Sequence, residues 1–181
     1  MSKAVLISIN PKWCALIANG KKTIEVRKTR PKIETPFKCY IYCTNSGRPL
    51  VLGEVFRGDW HTEYTQTYGC SRKEAEKTWE VYNGKVIGEL VCDEIMSGRN
   101  LGEGEFSLPW GEDEDCLSDT EIEAYGKNAS NLYGWHISDL VIYDKPKELS
   151  DFVGLRETRF GYAPVKITRP PQSWCYVREI E

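Results

Sequence analysis

The sequence predicts an α+β fold: a small, mainly antiparallel β-barrel with short helices flanking it. Predicted strands outnumber predicted helices, and the helices cover only ends or edges. Strands and long helices do not alternate, as they would in a doubly wound parallel sheet. No repeat, low-complexity tract or linker divides the 181 residues. We therefore expect a single domain over residues 1–181.

The first predicted elements form a strand–helix–strand unit. Residues 4–9 (AVLISI) predict a short, mostly buried strand. Asn10 caps a helix that has Pro11 at its first position, and Gly20 is the residue expected just past its end. Residues 23–27 (TIEVR) alternate with period two and predict the second strand.

An exposed connection leads into the strongest strand of the sequence. Residues 28–36 hold two prolines and many charges. Residues 38–44 (KCYIYCT) alternate as a strand and would place Cys39 and Cys43 on one face. Residues 50–56 predict a further strand.

The middle of the chain predicts a helix and a bent strand. Ser71 and Glu74 form a capping box, and the helix that follows is expected to reach Gly84. Residues 85–95 predict a strand, in which Gly88 indicates a bulge or a tight bend.

The segment 96–116 predicts a long acidic loop, and a loop of this length is usually functional or mobile. Nine acidic residues and no Lys or Arg lie between positions 103 and 123. Ser118 and Glu121 form a second capping box before a helix that ends near Gly126. The last predicted elements are a strand over 133–143, a helical turn at 146–152 and a closing strand over 173–180.

Composition excludes several classes of protein. The chain is 40% hydrophobic, 12% aromatic and 28% charged, which is typical of a soluble globular domain. It lacks an apolar run that could span a bilayer, and its N-terminus does not resemble a signal peptide. We therefore expect a cytoplasmic protein without a membrane partner, whose seven cysteines are free thiols. With two histidines and no C-x-x-C pair, we expect neither a metal site nor a cofactor.

Charge is distributed unevenly. Residues 1–48 carry ten basic and two acidic side chains, a balance of +8, whereas the remaining chain has a balance of −11. Any anion should therefore bind at a local basic patch rather than over the whole domain.

Residues 20–27 (GKKTIEVR) concentrate two lysines, a carboxylate and an arginine where a helix turns into a strand. One interpretation is purely structural: glycine ends the helix, the lysines lie near its negative end, and Glu25 pairs with Arg27 on the outer face. On a regular strand Lys22 would point away from Glu25, so the two converge only if Lys22 still lies in the turn. Convergence in a closed cleft would suit a phosphate or carbonyl clamp better than a nucleophile.

The pattern Gly-x-Lys-x-x-Glu-x-Arg, after Pro-x-Trp on the preceding helix, resembles the ASCH domain of the PUA-like superfamily. The segments 40–44, 133–138 and 171–177 and the glycine at position 88 are similar to this family as well. The positions that carry the motif are Pro11, Trp13, Gly20, Lys22, Glu25 and Arg27.

The resemblance implies a PUA-like β-barrel with a cleft beside residues 20–27 that binds RNA or a modified nucleoside. One small bacterial relative is an amidohydrolase that removes the acetyl group from acetylated cytidine, and other members are nucleases. The relative's catalytic lysine falls on Lys22, whereas its threonine is replaced here by Glu25. If this protein is an enzyme, the resemblance implies that Lys22 and Glu25 are catalytic.

Three hypotheses follow. The first is a module that binds RNA, or one small nucleotide or nucleoside, in a basic cleft. The second is a nucleoside amidohydrolase or ribonuclease that uses the same cleft. The third is an adaptor whose acidic loop meets a basic partner. The predicted ligand-binding residues are Lys21, Lys22, Glu25, Arg27, Lys28, Arg30, Trp110 and His136.

Two of these residues have a structural alternative. Trp110 is expected to be the most exposed tryptophan and could stack on a base, but it could equally anchor its loop in the barrel. His136 could serve the site or be a satisfied structural histidine. Trp13, Trp79 and Trp174 are expected in the core.

Overall fold

The structure is a computed structural model that describes residues 2–180, apart from the side chain of Phe56. Its strands are β1 (Lys3–Ile9), β2 (Ile24–Arg27), β3 (Phe37–Cys43), β4 (Leu50–Phe56), β5 (Trp60–Gln66), β6 (Val86–Gly102), β7 (Glu105–Ser107), β8 (Asn131–Lys147), β9 (Val153–Thr158), β10 (Gly161–Lys166) and β11 (Trp174–Arg178). Its helices are α1 (Pro11–Ala18), α2 (Arg72–Ala75), α3 (Glu112–Asp115) and α4 (Asp119–Gly126), with a 3-10 turn at Leu149–Asp151. Many strands with a few short helices confirm the predicted α+β class.

One large sheet holds most of the strands. Its order is β10-β9-β11-β1-β3-β6-β8-β2, and β7 pairs with β6. β1 and β3 run parallel, whereas the other pairs of this sheet are antiparallel. β4 and β5 form a separate hairpin. The prediction of a mainly antiparallel architecture is therefore confirmed.

The sheet curls until distant strands meet, which produces the barrel-like shape. Trp135 of β8 and Trp174 of β11 have ring centroids 6.1 Å apart, although three strands separate β8 from β11 in the sheet. Arg27, on the edge strand β2, donates from Nη2 to the backbone oxygen of Ser8 in β1 at 2.7 Å. Residues on β2 can therefore share a site with residues on β1.

The central strands are buried on both faces, which explains their nearly continuous apolar sequences. One face of β1 and β3 packs against Trp135, and Cys39 and Cys43 lie together on it as predicted. The opposite face packs against Phe152 and Val177. A third cluster lies under β2 and α4 and contains Ile24, Val26, Trp110, Ile122 and Leu132.

Several predicted elements are wrong in extent. The helix after Ser71 stops at Ala75 instead of reaching Gly84. The backbone N–H of Tyr82 bonds to the oxygen of Leu50 at 3.0 Å, and Val81 and Tyr82 are buried. Packing of this segment beneath β4 therefore outweighs its helical propensity.

The predicted loop over 96–116 is largely regular. β6 continues through Gly102 because it pairs with β8 as far as Arg99 and Asn131. A tight turn with positive φ at residues 102–104 then leads into β7. Gly98 permits this hairpin, since a Cβ there would clash with the side chain of Leu108. The length of β6 and β8 was missed because glycines and charges interrupt their apolar pattern.

Within residues 2–180, no helix is long and apolar enough to cross a lipid bilayer. All seven cysteines are free thiols. The described residues contain no group of three or more His, Cys, Asp or Glu side chains arranged to hold a metal ion.

Candidate functional site

The turn after α1 brings Lys22 toward the strand that follows. Gly20 adopts a φ of +69°, and the backbone N–H groups of Lys21 and Lys22 both bond to the oxygen of Leu16. β2 begins only at Ile24, so Lys22 lies in the turn, as its convergence with Glu25 requires. Alternation along β2 then places Glu25 and Arg27 on one face, opposite the core residues Ile24 and Val26.

Three charged side chains meet in a buried network. Glu25 Oε1 is 2.8 Å from Arg27 Nη2, and Glu25 Oε2 is 3.6 Å from Lys22 Nζ. Lys22 is 2% exposed, and Glu25 and Arg27 are each 7% exposed. Buried charges persist only when they are paired and hydrogen-bonded, so the loss of any one of these three charges would destabilise the other two.

Arg27 also ties together the strands around the site. Its Nη2 donates to the oxygen of Ser8, and its Nη1 donates to Oγ of Ser173 at 3.4 Å. Ser8 in turn donates from Oγ to the backbone oxygen of Pro171 at 2.7 Å. The Nε–H of Arg27 is buried and has no hydrogen-bond partner among residues 2–180. A buried donor left in this state costs about 1–3 kcal/mol.

The acidic segment around α3 holds Lys22 in place. Lys22 Nζ donates to the backbone oxygen of Asp115, and the N–H of Thr23 donates to the oxygen of Glu114 at 2.8 Å. The Asp115 carboxylate is buried and accepts from Trp110 Nε1 at 2.7 Å and from the N–H of Leu117 at 2.8 Å. The sequence 110–117 is thus a strap fixed to the site, rather than a free acidic loop.

A cavity of about 340 Å³ opens beside the network. Trp13 of α1 and Tyr125 of α4 contribute aromatic walls, and the charged network forms part of its lining. Burial raises the pKa of the Tyr125 phenol, which therefore stays protonated at neutral pH. The lining residues are Ser8, Asn10, Trp13, Lys22, Glu25, Val26, Arg27, Leu117, Glu121, Ala124 and Tyr125.

The cavity is balanced in charge. The positive charges of Lys22 and Arg27 are offset by the negative charges of Glu25 and Glu121. Glu121 also forms an ion pair, at 2.7 Å, with Lys12, which does not line the cavity. The contact with Lys12 lowers the pKa of Glu121. Such a lining offers donors and acceptors together, which suits a neutral polar group better than a bare anion.

Other grooves lack this combination. A groove of about 570 Å³ beside β9 and β10 and one of about 640 Å³ along residues 30–35 are larger. The charged side chains that line them, such as Lys166, Arg169 and Lys32, are exposed. The buried network therefore singles out the smaller cavity as the candidate site.

Three of the predicted basic residues lie outside the lining. Lys21 is exposed and lies 3.4 Å from Glu63 of β5. Lys28 lies at the rim, where it donates to the backbone oxygen of Lys127 at 3.2 Å and lies 5.3 Å from the ring of Tyr125. The guanidinium of Arg30 lies over the ring of Tyr133, at 5.8 Å.

Trp110 and His136 are not brought into the cavity either. Trp110 is 8% exposed and packs with Ile24 in the third cluster, so the structural alternative describes it and the expected exposure is wrong. His136 Nδ1 lies 2.6 Å from Asp93 Oδ1 on the outer surface of β8. This hydrogen bond lowers the pKa of Asp93.

The sequence missed several lining residues. Trp13 was expected in the core, yet it is half-buried and faces the cavity, with Nζ of Lys12 4.0 Å and Nζ of Lys22 5.2 Å from its ring. Tyr125 and Glu121 come from α4, whose position depends on the strap. The Pro-x-Trp pattern before residues 20–27 was the one sequence signal that could have placed Trp13 here.

Comparisons with known proteins concern the fold. The solved structure of ASCH from Zymomonas mobilis matches with a TM-score of 0.51 and 18% identity, over 97% of this chain and 88% of that one. A Tyr-to-Phe mutant of that protein matches with a TM-score of 0.51 and 18% identity, over 98% and 92%. Its Ser-to-Ala mutant gives 0.52 and 18%, over 97% and 89%.

No family model matches the sequence. The search of curated proteins gave no significant match. The structural similarity spans nearly the whole chain, so the chain has an ASCH-like fold, as the sequence resemblance predicted.

Proposed function

We propose that this protein binds RNA by holding one unpaired nucleotide, or a free modified nucleotide, in the cavity beside β2. The observation that carries the proposal is the buried Lys22–Glu25–Arg27 network in the wall of a cavity of about 340 Å³. That volume lies at the lower end of small-molecule sites, so it suits one nucleoside and not a duplex. The ASCH-like fold, which is generally linked to RNA binding, supports the same class of ligand.

The balanced charge suggests that the cavity takes the base rather than the phosphate. A base edge presents carbonyl oxygens and amino groups side by side. Lys22 can donate to a carbonyl oxygen, and Glu25 retains acceptor capacity for an amino group because a carboxylate accepts about four hydrogen bonds. Trp13 and Tyr125 supply rings against which a base can pack, as in other single-stranded RNA sites.

The phosphate would then lie at the rim. Lys12 and Lys28 are both exposed there: Lys12 lies on α1, and Lys28 directly follows β2 with its ammonium 5.3 Å from the Tyr125 ring of α4. Phosphate contacts of this kind add affinity that falls with salt, whereas contacts to the base set the preference between bases.

The test is a titration of the four ribonucleoside monophosphates, and of acetylated cytidine, by isothermal calorimetry. Lys22→Ala should reduce the affinity of the preferred nucleotide at least tenfold, since a charge-assisted hydrogen bond is worth about 1.5–3 kcal/mol. Lys21→Ala is the matched control, because the side chain of Lys21 is exposed and lies outside the cavity. The affinity of this variant for the nucleotide should stay within twofold of the wild type. Equal loss in both variants would contradict the proposal.

The same samples separate binding from hydrolysis. Incubation of the wild-type protein with acetylated cytidine and with single-stranded RNA should leave both intact. Turnover that Lys22→Arg abolishes while binding persists would replace the binding module with a hydrolase, because arginine keeps the charge but does not give up its proton.

A further inference from the structure

A row of aromatic side chains leads away from the cavity along the end of the sheet. Trp174 and Tyr176 are two positions apart on β11 and therefore share one face of the strand. Tyr162 lies on the edge strand β10. The ring centroids are 5.4 Å apart for Trp174 and Tyr176, and 5.5 Å apart for Tyr176 and Tyr162. All three side chains are only partly buried. We call these three rings the aromatic row.

The row begins next to Ser173, which contacts two of the residues that line the cavity. Ser173 accepts from Arg27 at Oγ and from the N–H of Ser8 at its backbone oxygen, at 2.9 Å. The next residue, Trp174, donates from its indole N–H to Oγ1 of Thr29 at 3.0 Å. An RNA strand that leaves the cavity past Ser173 therefore meets the ring of Trp174 first.

Cations flank the row along its length. Nζ of Lys3 lies 4.2 Å from the ring centroid of Tyr162 and 5.2 Å from that of Tyr176. On the other side, the backbone N–H of Lys32 donates to the Tyr176 hydroxyl at 2.7 Å, which fixes the basic connection beside the row. Arg178 of β11 lies opposite Lys3 of β1 in the antiparallel strand register.

Acidic side chains are fewer on this face. Glu157 lies opposite Tyr162 in the β9–β10 ladder, and Glu34 belongs to the connection. The basic residues nearest the row are Lys3, Arg178 and Lys32, and Lys28 and Arg30 belong to the same connection as Lys32. This excess contrasts with the net negative charge of the chain beyond residue 48.

Core packing alone does not account for the whole row. Trp174 and Tyr176 pack against the main core at their inner ends, where Trp135 is buried. Tyr162 instead packs on Tyr176 at the sheet edge, under the ammonium of Lys3. Rings in series beside a basic groove are the arrangement by which proteins bind single strands without reading their sequence.

We propose that the aromatic row is a docking track for single-stranded RNA, on which nucleotides that flank the one in the cavity stack. The inference rests on the proposed function and extends it from one nucleotide to an RNA strand. The charge and the partly exposed rings favour a single strand, since a duplex keeps its bases stacked inside.

The experiment compares a ribonucleoside monophosphate with a short, unstructured pyrimidine RNA by calorimetry at fixed salt. The oligonucleotide should bind the wild type at least tenfold more tightly than the mononucleotide, since each stacked base contributes about a factor of ten. Tyr162→Ala and Lys3→Glu should each remove about tenfold of the oligonucleotide affinity and leave the mononucleotide affinity within twofold. In a salt series of the same titration, Lys3→Glu should also lower the salt dependence of binding by about one phosphate contact.

Matched controls lie outside the row. Phe160→Ala removes a ring that is 94% exposed at the tip of the β9–β10 hairpin. Lys77→Glu reverses an exposed charge beyond α2. Both should bind the oligonucleotide as the wild type does. Tyr162→Phe keeps the ring and should keep the oligonucleotide affinity. If Tyr162→Ala fails to fold, the oligonucleotide affinity of Lys3→Glu alone tests the proposal.

The outcomes separate the two proposals. An oligonucleotide that binds no more tightly than the mononucleotide, or that binds both row variants normally, overturns the track. Oligonucleotide binding that depends on the row, without mononucleotide binding, keeps the track and refutes the cavity as a nucleotide site. Failure of both ligands to bind refutes both.

Discussion

Glu25 and Arg27 form a buried ion pair on one face of β2, with Oε1 of the glutamate 2.8 Å from Nη2 of the arginine. The pair orients the carboxylate between Arg27 and Lys22 and links the edge strand to β1 through the oxygen of Ser8. The same two residues therefore close the barrel and line the cavity. Stability and ligand binding are coupled at this point.

We expect Glu25→Gln to destabilise the protein by on the order of 3 kcal/mol, because the change leaves Arg27 and Lys22 without their shared counter-charge. Urea unfolding measures this loss. In the calorimetric titration the variant should also lose preference for bases with an amino group, since the amide donates where the carboxylate only accepts. Glu121→Gln is the stability control: its partially exposed pair with Lys12 should cost less than about 1 kcal/mol. Equal costs in the two variants would argue against a special role of the buried pair.

Asp115→Ala should loosen the strap that holds Lys22. The substitution leaves the buried indole N–H of Trp110 and the N–H of Leu117 without their acceptor, at a cost of about 2–3 kcal/mol. A shift in tryptophan fluorescence and a weaker nucleotide affinity should accompany the lower stability. Asp113→Ala, on the exposed side of α3, should change none of these. If nucleotide affinity survived in Asp115→Ala, the strap would have no part in positioning Lys22.

Gly134→Ala tests the packing beneath the site. A Cβ at this position would lie 2.8 Å from two carbons of the Trp110 ring and 3.0 Å from a methyl group of Ile24. Overpacking of this kind costs about 1–3 kcal/mol and would displace Trp110, whose indole N–H bonds to Asp115 in the strap. A thermal melt should show the loss, whereas Gly111→Ala, whose new Cβ meets only ordinary contacts, should stay within about 1 kcal/mol. An unchanged melting temperature for Gly134→Ala would mean that the third cluster accommodates the added methyl group without loss of stability.

The sequence predicted the inner strands and the starts of the capped helices well, because their signals are local. The apolar runs of β1 and β3, the cap at Asn10 and the capping box at Ser118 each act within a few residues. Long-range pairing was harder. β6 and β8 extend beyond their apolar parts because each pairs with the other. β5, β9 and β10 mix polar and apolar residues without a clear alternation.

The site was partly visible for the same reason. Lys22, Glu25 and Arg27 are close in sequence and could be named as a group. Tyr125, Glu121 and the strap come from more than eighty positions away, and nothing local to them indicates a cavity. Trp110 was misjudged because its partner, the carboxylate of Asp115, belongs to an acidic run that is typical of an exposed loop.

Thiol accessibility should follow burial. Cys14, Cys39, Cys43 and Cys92 are buried, and burial raises the pKa of Cys92 to about 12. Burial likewise raises the pKa of Cys175 to about 11. Because the thiolate is the reactive form, a thiol reagent near neutral pH should label the partly exposed Cys70 first, and the buried four only after denaturant is added. Rapid labelling of all seven thiols in the native protein would contradict the core described here; mass spectrometry of the labelled peptides identifies the sites.

The Glu89–Tyr143 contact gives a prediction with a defined pH dependence. Tyr143 donates from its hydroxyl to Glu89 Oε2 at 2.6 Å, and Lys38 Nζ lies 3.1 Å from Oε1. Burial alone would raise the pKa of Glu89, but the hydrogen bonds from Tyr143 and Lys38 outweigh burial and lower it. A carboxyl whose pKa is lower in the folded than in the unfolded state stabilises the fold above its unfolded pKa. That contribution is lost as the pH falls through the folded pKa.

Tyr143→Phe should therefore cost about 1–2 kcal/mol near neutral pH, where the carboxylate is charged and accepts strongly. The difference in unfolding free energy between wild type and variant should shrink as the solution is acidified, because a protonated Glu89 no longer benefits from the donor. Urea unfolding across the acid range measures both quantities. Tyr68→Phe, which removes a hydroxyl from a side chain that is 74% exposed, should leave stability unchanged at every pH. A cost for Tyr143→Phe that stayed constant down to strongly acidic pH would show that the hydroxyl stabilises the fold through something other than the charged form of Glu89.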